Sequence, residues 1–456
     1  MTGPPVSLEG RNLRMARTRT VVSVGPRLGQ GGQGVVHEAA FGSGFGCAVK
    51  WYRAVPRPAE LRRSITALAE RGRPHRAFIW PIDVVVSDEM PGFGYVMPRL
   101  EPGFISFAQL LGRAGHPPFR AMITIGRHLV EAFEALHASG LCYRDISFGN
   151  LWVHPERGEV AIIDNDNVGV DGGDVFVWGT LRFMAPEVVR REKFPSSVTD
   201  LYSLAVFLFY LFVHGHPLEG VKTEATFSRG AAQRESGHDL AVRYFGTQPL
   251  FVFDPCDDAN RPPPGDPMRT WWPIYPGFFR RVFEQAFTAG LRDTSGTARV
   301  SEGVWRRALL RLGDCATACS CRASVFHDPD APAARCWNCG HIPPRPLLLE
   351  LPGGSVVLSE GGVITAHHLR RDRDYDTVVA TVEAHPASPG RVVLRNAGTQ
   401  AWVMRPDGEA AKTVEPGRRL AARAMTIDFG PARGRILGIQ TAGTPRDGAP
   451  AGEGER

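Results

Sequence analysis

The run Tyr143-Arg144-Asp145-Ile146-Ser147-Phe148-Gly149-Asn150 is followed, after a short apolar stretch, by Ile162-Ile163-Asp164. These residue types are the ones that phosphoryl transfer to a hydroxyl requires. Asp145 can accept the proton of an attacking hydroxyl, because an in-line nucleophile needs a weak base at hydrogen-bond distance. Asn150 and Asp164 offer hard oxygen ligands of the kind Mg²⁺ or Mn²⁺ takes when it bridges nucleotide phosphates. An Asp-x4-Asn spacing is common by chance, so its weight comes from what stands around it.

Upstream, Gly29-Gln30-Gly31-Gly32-Gln33-Gly34-Val35-Val36 lies between apolar, strand-like runs, with glycines where a backbone must come close to phosphate oxygens. Ala48-Val49-Lys50 then ends the next strand on a cation. Only four of the 53 Lys and Arg residues are lysines (Lys50, Lys193, Lys222 and Lys412), so a lysine at this place is not an accident of composition. Downstream come Gly179-Thr180, Ala185-Pro186-Glu187 and Asp200 before an apolar helix. Together these resemble the signature set of the protein kinases over about residues 20 to 313.

The resemblance implies an α+β, two-lobed fold and ATP-dependent transfer of the γ-phosphate to Ser or Thr hydroxyls of proteins, in bacterial signalling. Gly29, Gly31 and Gly34 would cover the phosphates, Val36 and Ala48 would line the nucleotide, and Lys50 would meet the α- and β-phosphates. Asp145 would be the base, Asn150 and Asp164 the metal ligands, and Thr180 the residue beside the acceptor. Glu187 would pair with a late arginine, for which Arg299 is the candidate, and Asp200 would anchor the loop that carries Asp145. Gly94-Tyr95-Val96-Met97 reads as a buried strand leading into a hinge at Pro98-Arg99-Leu100-Glu101. Met97 would then be the gatekeeper and Leu100 the residue whose N–H meets the base. Proline removes one donor there, which is tolerable where only a carbonyl acceptor is needed.

The chain departs from the family pattern at several positions. Tyr143 stands where a histidine is usual, Asp164-Asn165-Asp166 where Asp-Phe-Gly is, and Ser147 where a lysine is. A helix is expected after Pro58 with Leu61, Ile65 and Leu68 on its apolar face. Glu60 is its nearest candidate for an ion pair with Lys50; Glu70 falls too late, and simple register places Ser64 at the position. Thr180 is the one hydroxyl between Asp164 and Glu187. Asp171 and Asp174 are candidates to supply Arg144 with a permanent negative charge in place of a phosphate.

Five of the eight cysteines fall between 315 and 339. Cys319-Ser320-Cys321 and Cys336-Trp337-Asn338-Cys339 form two tight pairs that resemble a zinc ribbon, a tetrahedral thiolate site for structural Zn²⁺. Four thiolates leave no open position for catalysis. Residues 346–440 alternate in short runs between Pro-Gly, Asn-Ala-Gly and Asp-Gly turns, as a small all-β sandwich does, and faintly resemble a forkhead-associated domain.

The expected organisation is an N-terminal extension at 1–20 and a kinase domain at 21–313, with lobes at about 21–97 and 101–313. A ribbon at 314–345, a β module at 346–440 and a disordered tail at 441–456 follow. Residues 221–275, rich in Pro and Trp, read as an irregular insertion packed on the second lobe.

With 456 residues, 43% of them hydrophobic, the chain can bury a large core. The formal charge of +6 shows no basic stripe, so no nucleic-acid partner is expected. Residues 1–20 carry no apolar leader, and the longest apolar candidate, Leu201 to Val213, is too short to span a membrane. A cytoplasmic location is expected. Kinases of this layout are similar to those grouped with a von Willebrand A-type protein and a PP2C-type phosphatase, an analogy only. Two alternatives stay open: a nucleotide-binding pseudokinase scaffold and a small-molecule kinase.

Overall fold

The computed structural model describes residues 8–31, 33–42, 45–52, 55, 57–112, 117–172, 178–224, 237–293, 295–370, 373–388 and 390–437. The chain divides into two compact units, Met1–Leu310 and Arg311–Arg456.

The first unit opens on a closed, antiparallel barrel. Its strands are β1 (Asn12–Met15), β2 (Val21–Gln30), β3 (Gly34–Phe41), β4 (Phe45–Tyr52), β5 (Asp83–Val86) and β6 (Gly94–Pro98), in the order β1-β2-β3-β4-β6-β5. The first strand lies within what the sequence suggested was an extension. Leu13 and Met15 alternate inward against exposed Asn12 and outward-leaning Arg14, and β1 pairs with both β2 and β5, which closes the barrel. Helix α1 (Pro58–Arg71) starts on a proline, whose missing N–H is harmless in a first turn, and buries Ile65 and Leu68.

Beyond β6, α2 (Phe107–Leu111) is held by a capping box between Ser106 and Gln109. Helices α3 (Phe119–Ala138), α4 (Pro186–Val189) and α5 (Ser197–Val213) follow in the same unit. A second capping box, Ser196 with Thr199, fixes the start of α5, which is buried along nearly its whole length, from Thr199 to Val213. A helix apolar all round has to be the centre of its lobe. Trp271 and Trp272 are buried as well, and Trp272 stacks on Phe253 with centroids 4.6 Å apart, so the described part of the 221–275 stretch packs by its aromatic residues.

The second unit begins with a hairpin of Ala316–Ala318 and Ser324–Phe326 beside the cysteines. A six-stranded and a four-stranded antiparallel sheet follow. Leu349, Val356, Ile364, Val382, Leu394, Trp402, Ile427 and Ile436, drawn from both sheets, share one core, which makes the pair a sandwich. The tail at 441–456 lies outside the described residues.

Candidate active site

Strand register assembles the nucleotide side of the site. Val36 lies opposite Lys50 across β3 and β4, and Lys50 opposite Tyr95 and Ala48 opposite Met97 across β4 and β6. Ala48, Lys50 and Tyr52 therefore share one face, as alternate residues of a strand must. Leu100 lies two residues after the end of β6 and is half-buried. The turn between β2 and β3 is closed by the Gly31 N–H donating to the Gly34 carbonyl at 2.9 Å, with Gly29 opposite Val36. A Cβ on Gly34 would sit 2.4 Å from the Trp51 carbonyl oxygen, so β4 itself demands glycine there. On Gly29 and Gly31 a Cβ would meet nothing within 4 Å, so the space beside these two is open.

The loop after Leu141–Cys142 is hung from α5. Asp200 accepts the N–H of Tyr143 (2.5 Å) and of Arg144 (3.0 Å), and its second neighbour is the His137 ring at 3.2 Å. The other nitrogen of that ring hydrogen-bonds Glu302. Burial disfavours the charged ring, but the hydrogen bonds to Asp200 and Glu302 outweigh it and push His137 up to about 9. Arg144 then turns through a left-handed conformation, φ 72°, and sends its guanidinium to the Val170 carbonyl at 2.9 Å. The Asp171 carboxylate, one of the two candidates for a permanent charge near that guanidinium, accepts the N–H and hydroxyl of Ser197 at the start of α5. Asp174 lies outside the described residues.

Asp145 comes next, half-buried. Its Oδ1 accepts the Thr180 hydroxyl at 2.9 Å, while Asn150 Nδ2 donates to its carbonyl at 2.9 Å and its Oδ2 at 3.4 Å. With Nδ2 so engaged, Asn150 Oδ1 is the atom left for a cation. Tyr143, at the place of the usual histidine, is fully buried, and its hydroxyl donates to the Ile163 carbonyl directly before Asp164. Asp164 takes a left-handed φ of 56°. It is the more open of the two carboxylates on this segment, its side chain 38% exposed against 1% for Asp166.

The ion pair of Lys50 differs from the sequence expectation. Glu60 lies in the first turn of α1 and pairs with Arg57 at 3.5 Å, while Ile65 fills the inward side of that helix. Lys50 Nζ instead donates to Asp166 at 2.8 and 3.0 Å and to Asp164 at 3.3 Å. Tyr52 and Tyr95 complete the cluster with hydroxyl donors 2.6 and 3.2 Å from Asp166. Burial by itself would discharge both ions; the attraction between them prevails, holding Lys50 above and Asp166 below their usual ranges. Asp164 is raised, first by burial and then by the Asp166 charge, against the pull of Lys50. One ammonium among the Asp145, Asp164 and Asp166 carboxylates leaves excess negative charge, a donor set suited to a divalent cation held by Asp164 and Asn150.

Asn165 also escaped the sequence reading. It is fully buried and ties the segment down by donating to the Ile79 and Ile162 carbonyls at 2.8 and 3.0 Å. Further from the centre, Glu187 and Arg299 form a buried ion pair, both carboxylate oxygens 2.9 Å from Nη2, with the guanidinium over the Tyr202 ring.

In the second unit Cys319, Cys321, Cys336 and Cys339 converge. Two Sγ pairs are 3.6 and 3.7 Å apart and all four sulfurs lie within 4.8 Å of one another. A thiolate tetrahedron around zinc, with bonds of about 2.3 Å, has edges of roughly 3.8 Å. Backbone hydrogen bonding at Ala323, aided by Asn338, pulls the Cys321 thiol down to about 6. No helix among the described residues is long and apolar enough to cross a membrane.

Residues 22–243 match the family described as the protein kinase domain. The serine/threonine-protein kinase AfsK of Streptomyces coelicolor is 26% identical over 198 residues, which cover 42% of this chain and 24% of AfsK. AfsK of Streptomyces griseus is 25% identical over 207 residues, 44% of this chain and 25% of the relative. Human ribosomal protein S6 kinase alpha-4 is 32% identical over 112 residues, 23% of this chain and 14% of its own. The chain thus spans about a quarter of the length of the two AfsK proteins it matches.

Proposed function

We propose, from the protein kinase domain carried by residues 22–243, that this chain is an ATP-dependent protein kinase that phosphorylates serine or threonine hydroxyls of bacterial proteins. The observation that carries the proposal is the hydrogen-bonded run Thr180–Asp145–Asn150, set beside Asp164 and Lys50. Asp145 receives the proton of the acceptor hydroxyl, and Thr180 orients that carboxylate and borders the place where the acceptor must lie. Lys50 neutralises phosphate charge from the barrel side, under the Gly29–Gly34 turn, while the strand face of Val36, Ala48 and Met97 holds the base against the hinge at Leu100. Asp164 and Asn150 would hold Mg²⁺ or Mn²⁺, which would supply positive charge against the negative charge that develops during transfer. The alternative of a nucleotide-binding pseudokinase scaffold rests on Ser147 and on the lack of an α1 glutamate for Lys50; the Asp166 carboxylate beside Lys50 weakens the second of these grounds.

The four clustered cysteines are proposed to hold a structural zinc ion, and the β sandwich to act as an interaction module. A cytoplasmic location follows as part of the same reading. Partnership with a von Willebrand A-type protein and a PP2C-type phosphatase is proposed on analogy of layout alone. The test is transfer of labelled γ-phosphate from Mg-ATP to the protein itself and to a generic basic protein, wild type against Asp164→Ala. Label that disappears in the variant is the expected result. Absence of label in the wild type, with nucleotide still bound, would replace the kinase by a nucleotide-binding scaffold.

A further inference from the structure

We propose that Asp166 is the positioning residue for Lys50, in the role expected of a carboxylate on α1, so that Lys50 is tied to the segment that starts at Asp164 and not to the helix. The inference rests on the kinase reading for its meaning in catalysis, but its geometry is independent of that reading.

Helix α1 has two carboxylates, and neither is available. Glu60 is engaged by Arg57, and Glu70 is exposed at the far end of the helix. The side of α1 that faces the barrel is apolar: Ile65 packs in one cluster with Tyr52 and Tyr95, and Leu61 lies against it. A carboxylate cannot be supplied from that face without displacing core side chains.

Asp166 is built for the task. Lys50 and Tyr52 are alternate residues of β4 and Tyr95 is the cross-strand partner of Lys50, so three donors emerge on one face of the sheet. All three converge on the one buried carboxylate. Oδ1 receives Lys50 at 3.0 Å and Tyr95 at 3.2 Å; Oδ2 receives Lys50 at 2.8 Å and Tyr52 at 2.6 Å. With two donors on each oxygen and a side chain only 1% exposed, Asp166 has no vacant, solvent-facing lone pair for a metal. The two carboxylates of Asp164-Asn165-Asp166 therefore divide the work: the open one is left for a cation and the buried one fixes the lysine. A consequence is that movement of α1 does not by itself detach Lys50. Displacement of the segment from 164 onward does, and that makes this segment, and not the helix, the lever on the lysine.

The test compares Asp166→Asn, Lys50→Met, the double variant and Glu60→Gln in the full chain. Three readouts are needed: the pH dependence of Lys50 acylation followed by peptide mass spectrometry, Mg-ATP affinity by calorimetry, and kcat and KM for phosphate transfer. Asp166→Asn is expected to let Lys50 lose its proton at lower pH, to label faster than wild type, and to lower kcat/KM for ATP by about 100-fold, the order expected when a group is no longer held in position. Glu60→Gln is expected to match wild type in all three. Asp166→Asn added to Lys50→Met should weaken ATP no further, because a positioning residue has nothing left to position. Three results would each overturn the proposal: unchanged Lys50 labelling in Asp166→Asn, a Glu60→Gln defect of equal size, or a further loss of Mg-ATP affinity in the double variant. A wild type without phosphate transfer would sink the kinase reading, while the acylation profile would still decide the role of Asp166.

Discussion

His137 is where a small change should give the clearest number. The ring sits at the last turn of α3 between Asp200, which carries the backbone of Tyr143 and Arg144, and Glu302. Its pKa rises from 6.5 to about 9 because hydrogen bonds to both carboxylates overcome the cost of burial. A folded-state pKa above the unfolded one gives stability that is complete below about pH 6.5 and is lost as pH climbs through about 9. A rise of about 2.5 units corresponds to roughly 3 kcal/mol. Equilibrium urea unfolding of wild type and His137→Asn at about pH 6 and about pH 9.5 isolates this contribution, since other groups titrate equally in both proteins. The stability gap between the two proteins should shrink by about 3 kcal/mol on going to the higher pH. An equal gap at both values would refute the reasoning, because a neutral histidine that merely fills space has no such dependence.

The remaining predictions are independent of that one. His216 is fully buried between the Arg182 carbonyl and the Leu218 N–H, and burial depresses it to about 3, so it favours the folded state above pH 6.5 and opposes it as pH falls; His216→Gln should unfold less readily than wild type when both are compared between about pH 6 and about pH 4, as a ratio to neutral pH. Arg299→Met strands the buried Glu187 carboxylate and should cost about 3–5 kcal/mol in urea unfolding, with Glu187→Gln in the same protein recovering part of it. Thr180→Val removes the hydroxyl donor to Asp145 and should lower kcat by about 10- to 100-fold while the KM for ATP stays close to wild type. Metal analysis should find about one equivalent of zinc, lost in Cys336→Ser, whereas under half an equivalent in the wild type would remove the thiolate site.

The sequence was legible where residue type and spacing carry a local physical requirement. Asp145, Asn150 and Asp164 stand out because the proposed hard-metal ligands and base would have to be oxygen acids or amides at fixed intervals. Gly34 is legible for a different reason than phosphate approach, since its Cβ position is taken by the Trp51 carbonyl. The cysteine pairs are legible because thiolate sites need tight spacing. What stayed hidden depends on pairing across the chain. Tyr95 becomes part of the lysine cluster only once β4 and β6 are in register, and His137 only once α3 and α5 bring it to Asp200. Residues 12–15 read as extension because a four-residue strand has too little alternation to be seen without its neighbours.

The departures at Tyr143, Asn165 and Asp166 make most sense as one coordinated change. A Phe-Gly pair after Asp164 would hold its segment by apolar packing and leave the backbone flexible. Here the same segment is fixed by polar bonds at each step: the Tyr143 hydroxyl takes the Ile163 carbonyl, the Asn165 amide takes those of Ile79 and Ile162, and Asp166 takes Lys50 and two tyrosines. Each of these groups is buried, so each would cost free energy if its partner were missing. Asp166 without Tyr52, Tyr95 and Lys50 would be a buried, unpaired anion, and Lys50 without Asp166 would lean on Asp164 alone, the more open of the two carboxylates. The Asp-Phe-Gly pattern that this segment resembles therefore cannot be introduced here one residue at a time: Asp166→Gly should damage the site more than Asp166→Asn, which keeps a hydrogen-bonding side chain between the two tyrosines.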